Sequence, residues 1–309
     1  MISAYIQHYI AMQYFCLIKF IILHFCHFLE QIIEFFCICF SYIKLVEFIN
    51  SIPNNTWEAS VYPSYHFFNN KPKSLSNFAN TYLGRFGSII PRSSNTNDKS
   101  SYDFIAENPD CYVHPFDQNK TNICFAIAPA VSISQRYCKK FRTKITLNPQ
   151  PITSCDPFSS YAGGNVIYSW RYLQMNGIPN TTCHPFELNW TCVQNNCKKY
   201  KTQHNSHKFF YGEDEIKNEI LQNGPVTAVF DVRADLAFYK SGVYQSVLSE
   251  EESSFQHAVV IYGWGKEKEI PFWWILNSYG QNWGINGSMK FLRGNNHCNI
   301  ETHVSSALI

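Results

Sequence analysis

Apolar and polar positions change their period along this chain, and each change marks a different kind of element. From Cys124 to Cys138 the residues Ile127, Val131, Ser134 and Cys138 recur at three- and four-residue spacing, which is one face of a helix. Residues 164–175 repeat the pattern. Asp214–Gln222 reads as a third helix, stopped by Asn223-Gly224-Pro225, because glycine accepts the backbone turn that ends a helix and proline cannot continue one. Beyond it, Val226–Val232, Gln256–Tyr262, Phe272–Asn277 and Ser288–Leu292 are short apolar or alternating runs separated by glycine, the pattern of strands in an antiparallel sheet. Helices first and strands later predict an α+β chain with a cleft between two lobes.

The first 50 residues differ in composition from the rest, crowded with Phe, Ile, Tyr and four cysteines, Cys16, Cys26, Cys37 and Cys39. Lys19 followed by an apolar stretch at 20–29 matches the charged start and apolar core of a signal peptide. A long form, a second initiation at Met12 and an uncleaved anchor stand as alternatives. A bilayer span needs roughly 20 apolar residues, and Lys19 and Glu30 interrupt the run, so targeting is favoured over anchoring.

The net charge is +2, from 25 Lys and Arg against 23 Asp and Glu. There is therefore no electrostatic footprint for nucleic acid, and the pairs Lys139-Lys140 and Lys198-Lys199 read as solvated faces. The span 91–309 is long enough for one two-lobed unit with a substantial core.

Four polar residues carry candidate chemistry: Gln118, Cys124, His257 and Asn277. The thiol is followed 133 residues later by the histidine and 20 further on by the asparagine, the order and approximate spacing of a thiol-protease triad. A thiol is only slightly ionised near neutral pH, so a nucleophilic cysteine needs an imidazolium and a helix N-terminus to hold it as thiolate. His257 supplies the first, the helix starting near Cys124 the second, and Asn277 orients the imidazole. Gln118, six residues before the thiol, offers its amide to an oxyanion alongside the Cys124 N–H; such a donor contributes roughly 3–4 kcal/mol. A pair of this kind acts on peptide bonds through an acyl-enzyme.

The sequence resembles the papain family of cysteine proteases, and within it the cathepsin B-like branch. The resemblance rests on residues 117–126 (DQNKTNICFA), Gly163-Gly164, 223–226 (NGPV), 239–244 (YKSGVY), 256–259 (QHAV), 262–265 (YGWG), 277–284 (NSYGQNWG) and 292–298 (LRGNNHC), and covers about 100–309. It implies a papain-like two-lobed fold, with a helical lobe over about 105–200, an antiparallel β-barrel-like lobe over about 201–309 and the active-site cleft between them. It implies a cysteine endopeptidase made as a zymogen, with 1–44 as a signal or targeting segment, 45–90 as a cathepsin B-like propeptide and 91–309 as the peptidase domain. The propeptide expectation comes from 45–50 (LVEFIN) and 55–59 (NTWEA), with removal near Ile90-Pro91. Catalytic roles fall on Cys124, His257 and Asn277, the oxyanion hole on Gln118, and substrate binding on Gly163, Gly164, His303 and Trp283. His303 would close the pocket for the second residue before the scissile bond, where cathepsin B is acidic. The region from Cys183 to Gly212 is short and lacks the paired histidines that hold a substrate carboxylate in cathepsin B, which implies endopeptidase action without strong dipeptide release. Implied partners are peptide and protein substrates, the chain's own propeptide and cystatin-like inhibitors. A monomer, no cofactor, and a lysosomal, acidic-vacuole or secreted location are expected.

Eight cysteines lie in 91–309. By resemblance Cys111 pairs with Cys138, Cys298 stays unpaired, and Cys155, Cys183, Cys192 and Cys197 form two more bridges, read as Cys155–Cys192 and Cys183–Cys197, although spacing alone leaves connectivity open. Such bridges need an oxidising compartment. Asn54, Asn119, Asn180, Asn189 and Asn286 begin glycosylation sequons, and a glycan at Asn119 would crowd Gln118, so that one is expected to be empty. His184, His204 and His207 with Cys192 or Cys197 lack ligand spacing, so no metal site is expected.

Departures from the family pattern cluster around the nucleophile. Cys-Gly-Ser-Cys-Trp is replaced by Thr121-Asn122-Ile123-Cys124-Phe125, and a bridge between positions 121 and about 161 is lost at both ends. A bridge closing such a loop contributes roughly 4 kcal/mol in the chain-entropy model. Asn122 replaces a glycine and threatens to narrow the site. Pro129 deprives Phe125 of a helical donor, at about 3 kcal/mol or a bend. These changes motivate an alternative, a secreted, catalytically weak or inactive homologue that binds peptides or proteins through the same cleft; a purely structural glycoprotein is the third reading.

Overall fold

The computed structural model describes residues 42–62, 99–188, 191–192, 196–248 and 255–309. The targeting segment at 20–29, Met12, the cleavage point near Ile90-Pro91 and the Asn189 sequon lie outside the described residues. The chain divides into two compact units, 1–51 and 52–309. In the first, residues 42–51 form a helix, α1. No helix among the described residues is long and apolar enough to cross a membrane.

In the second unit, β1 (Trp57–Ala59) and β2 (Tyr102–Asp103) precede a set of helices: α2 (Phe104–Glu107), α3 (Cys124–Phe141), α4 (Gln150–Ser154) and α5 (Val166–Met175). Then come β3 (Lys208–Phe210), α6 (Gly212–Asn223), β4 (Val226–Asp231), β5 (Tyr239–Tyr244), β6 (Gln256–Glu267), β7 (Ile270–Leu276), β8 (Ser288–Leu292) and β9 (His303–Ser306). The helices before residue 180 and the strands after 207 give the α+β arrangement expected of the sequence.

The nine strands among the described residues form one sheet in the order β1-β5-β8-β7-β6-β4-β9-β3, with β2 pairing β6. The expected strands β4, β6, β7 and β8 pair antiparallel, and β5 adds one parallel pairing, on β8, with Val243 opposite Lys290. The chain passes through β6 and β7 between them, and a long connection of that kind permits parallel pairing where a hairpin does not.

Helix α3 is buried nearly all round, which small residues at Ala126, Ala128, Ala130, Ser132 and Ser134 allow. It is pinned to α6 and the turn after it by Arg136, 2% exposed, whose guanidinium donates to the carbonyls of Pro225 (2.7 Å) and Gly224 (2.9 Å) and pairs with Glu219 at 2.8 Å. A buried charge is tolerated only with such a full set of partners. Disulfides Cys111–Cys138, Cys155–Cys192 and Cys183–Cys197 lie around this helical part, while Cys124 and Cys298 are free.

Strand β1 lies antiparallel on β5, with Trp57 opposite Gly242. Trp57 packs on Tyr239 and Tyr244, its indole N–H donates to Gln245 O (2.8 Å), and Glu58 pairs with Lys240. The close approach needs Gly242, at φ +84°, since a Cβ there would come within 2.4 Å of Thr56 O.

Candidate active site

Strand register carries the histidine and the asparagine together. Val260 on β6 faces Leu276 on β7, and the same register continued past the end of β7 sets Tyr279 across from His257. The two rings stack at 5.0 Å and 24°. His257 Nε2 lies 2.8 Å from Asn277 Oδ1, which also accepts the Ser278 N–H at 2.8 Å. Two donors on one oxygen fix the amide with Oδ1 toward the ring, so Nε2 carries the proton and Nδ1 is left as the base.

Cys124 stands at the first residue of α3 and lines a cavity of about 500 Å³ shared with His257, Gln118, Gly163, Gly164 and His303. Burial pushes its thiol up; hydrogen bonds from the backbone at Ala258, Phe125 and Cys124 oppose that by favouring thiolate. Two of those donors belong to the N-terminus of α3, where the helix dipole also favours negative charge. The third, at Ala258, directly follows His257. Burial pushes His257 down to about 4, against the hydrogen bond to Asn277. Each group alone therefore favours its neutral form. Ionised together, thiolate and imidazolium would each be the other's counter-ion, and burial then strengthens the attraction.

Gln118 is buried, 7% exposed, and bonded at both ends of its amide: Nε2 donates to Thr121 O at 2.8 Å and Oε1 accepts the Ser278 hydroxyl at 2.6 Å. Its backbone N–H donates to Ser278 O at 3.0 Å, so the loop before the thiol lies directly on the loop after Asn277. Nε2 retains one hydrogen for a substrate oxygen. Ser278 had no signal of its own in the sequence beyond its place beside Asn277.

Gly163 and Gly164 have different reasons to be glycine. Gly163 sits at φ +143° with open space where a Cβ would be, whereas a Cβ at Gly164 would strike the Phe125 ring at 2.4 Å. His303 opens β9 and is exposed at the cavity edge. Trp283 is not brought to the cleft. It is 1% exposed, donates its indole N–H to Ala237 O at 3.1 Å, and meets the site only through Tyr279, edge-on at 5.4 Å. His184, His204 and His207 do not line the cavity, and no metal-binding cluster of His, Cys, Asp or Glu occurs among the described residues.

Pro129 lies inside α3 without breaking it. The carbonyl of Phe125, deprived of its helical donor, accepts the Ser169 hydroxyl of α5 at 2.8 Å in a buried setting. Sequence reasoning finds the vacancy but not the donor, because a helix-interior proline says only that some neighbour must supply a hydrogen.

A family model described as papain family cysteine protease matches residues 100–308. Cathepsin B-like CP3 of Giardia intestinalis is 28% identical, over 81% of this chain and 89% of its own length. Cathepsin B-like cysteine proteinase 1 of Haemonchus contortus is 30% identical, over 62% of this chain and 68% of its own. Among solved structures, procathepsin B S9 from Trypanosoma congolense superposes with a TM-score of 0.68 at 28% identity, over 86% of this chain and 97% of that one. Procathepsin L 3 of Tenebrio molitor, at 18% identity and a TM-score of 0.70, shares the fold.

Proposed function

The chain belongs to the papain family of cysteine proteases, and we propose that it acts as a cathepsin B-like cysteine endopeptidase made as a zymogen. The observation that carries this reading is the hydrogen bond from His257 Nε2 to Asn277 Oδ1 at 2.8 Å, in a cavity that also holds Cys124. It leaves Nδ1 to take the thiol proton. Sulfur then attacks the scissile carbonyl, whose oxygen accepts hydrogen bonds from the Cys124 N–H and Gln118 Nε2. The imidazolium returns its proton to the departing amine, leaving a thioester. Water, deprotonated by His257, hydrolyses the thioester and restores the thiol.

Gly163 offers backbone to an extended substrate, and His303 borders the pocket beyond it. The absence of His184, His204 and His207 from the cavity lining supports endopeptidase action without dipeptide release. Residues 45–90 are the proposed pro-segment; within it β1 pairs with β5, and Tyr62 donates to Tyr239 O and accepts the Gly284 N–H. Three disulfides favour passage through the secretory pathway to an acidic vacuole or to the exterior.

The test is labelling of the processed protein at mildly acidic pH with an epoxide peptide inhibitor of thiol proteases. Stoichiometric labelling that Cys124→Ala and His257→Ala both abolish is expected. A folded, processed wild type that fails to label would favour the peptide-binding module, a reading motivated by the burial that drives both reactive groups toward neutrality.

A further inference from the structure

We propose that Asn122 is a positioning residue whose side-chain amide clamps the nucleophile turn to the turn that presents Gly163. The proposal rests on Cys124 being the nucleophile. The backbone N–H of Asn122 donates to Tyr161 O at 2.9 Å, and its Nδ2 donates to Ala162 O at 3.1 Å. One residue therefore grips two successive carbonyls of the facing turn.

That turn is itself rigid. Ser160 and Gly163 exchange N–H···O bonds of 3.1 and 3.2 Å, the Ser160 hydroxyl accepts the Ala162 N–H at 3.2 Å, and the Tyr161 side chain is buried at 3% exposure. The nucleophile turn has its own lock, since Gln118 Nε2 donates to Thr121 O and the Thr121 hydroxyl to Gln118 O. The Asn122 bonds join the two turns, the Phe125 ring fills the space a Cβ on Gly164 would take, and none of the three disulfides among the described residues links them. Asn122, Cys124, Ala162 and Gly163 line the same cavity, so the clamp fixes the distance between the attacking sulfur and the backbone that would hold the substrate.

Asn122 is itself exposed, so its side-chain bond adds little to global stability. Geometry at a reacting centre is more sensitive, where a displacement of about 1 Å can slow reaction about 100-fold. A glycine at 122 would keep the first bond and lose the second. Asparagine at this position therefore does not merely narrow the cleft; it supplies a cross-connection.

Asn122→Gly and Asn122→Ala should leave the melting temperature unchanged and lower kcat about 10-fold for a small peptide substrate. The rate of epoxide labelling should fall in parallel, and the longer Asn122→Gln, which keeps the donor, should recover part of it. Hydrogen exchange at the amides of 160–163 should accelerate in both truncations, a readout independent of turnover. Wild-type kcat, labelling rate and exchange in both truncations would overturn the proposal. Slowed turnover with a lowered melting temperature and no recovery in Asn122→Gln would overturn it in favour of a bulk folding effect. A wild type that never labels fails the protease reading instead, while the exchange data still decide whether the clamp exists.

Discussion

The two sides of the proposed catalytic pair are held in place by different forces. His257 and Asn277 stand on β6 and just past β7, where backbone ladder bonds and ring stacking set their positions. Cys124 stands at the first residue of a helix whose approach turn has a few main-chain bonds, at Gln118 and Asn122, and leans besides on side chains: Gln118 on Ser278, Asn122 on Ala162, Ser169 on Phe125. A ladder bond survives almost any substitution, because it uses main-chain groups present at every residue but proline. A side-chain bond vanishes with one mutation. The departures from the family pattern, Thr121, Asn122, Ile123, Phe125 and Pro129, fall on the side-chain-held half. On the strand half Tyr279 stacks an aromatic ring on His257.

The largest expected effect tests whether the strand half depends on Asn277 or only on the ladder. Asn277→Ala removes the acceptor that fixes the His257 tautomer and should lower kcat/KM by about 10²–10⁴. Gln118→Ala on the other half should lower kcat by about 10²–10³, through the lost oxyanion donor and the loosened loop. If Gln118→Ala were the more damaging, the side-chain-held half would be the more fragile in function as well as in construction. Peptide hydrolysis by the processed variants checks both.

Acidification should destabilise the fold through two buried histidines. His257 and His297 are each pushed by burial to about 4, below their ordinary 6.5. As pH falls through that window the unfolded chain binds these protons first. The stability they contribute is therefore complete above 6.5 and lost on the way down to about 4, on the order of 3 kcal/mol for His297 and for a His257 that faces Cys124 as a neutral thiol. Asp235 has the opposite sign. Burial raises it from 3.8 to about 6, so its contribution is complete below 3.8 and lost as pH rises through 6. Two histidines against one aspartate leave a net loss of about 3 kcal/mol on acidification from above 6.5 to about 4. Urea unfolding across that range should show the slope. His257→Gln should flatten it, and an unchanged slope would remove His257 from the account.

The strand half was also the more legible half in the sequence. Alternation and glycine punctuation mark β4, β6, β7 and β8, with Ser288–Leu292 the same in pattern and structure. What alternation cannot reveal is the parallel pairing of β5 with β8, because direction depends on a connection far along the chain. Around the nucleophile the helix period finds α3, but the bonds that hold its start join residues 3 to 160 positions apart. Trp283 stands apart: the resemblance implies substrate binding there, while its indole N–H finds Ala237 O inside the core.

The smallest effect is the sharpest test of how the helix half is built. Ser169→Ala leaves the Phe125 carbonyl buried without a donor, which should destabilise the protein by about 1–3 kcal/mol. Pro129→Ala restores a main-chain N–H at the position that can reach that carbonyl along the helix. In the Pro129→Ala background, Ser169→Ala should therefore lose most of its effect, a coupling of about 1–2 kcal/mol by thermal or urea unfolding. Repacking around Pro129 appears in both arms of that difference and cancels, which neither single variant achieves. Additive effects would mean that Ser169 only packs beside α3 and that the helix absorbs its proline by some other means. Full coupling would mean that a side chain on α5 replaces a missing main-chain bond four residues into the helix that presents Cys124.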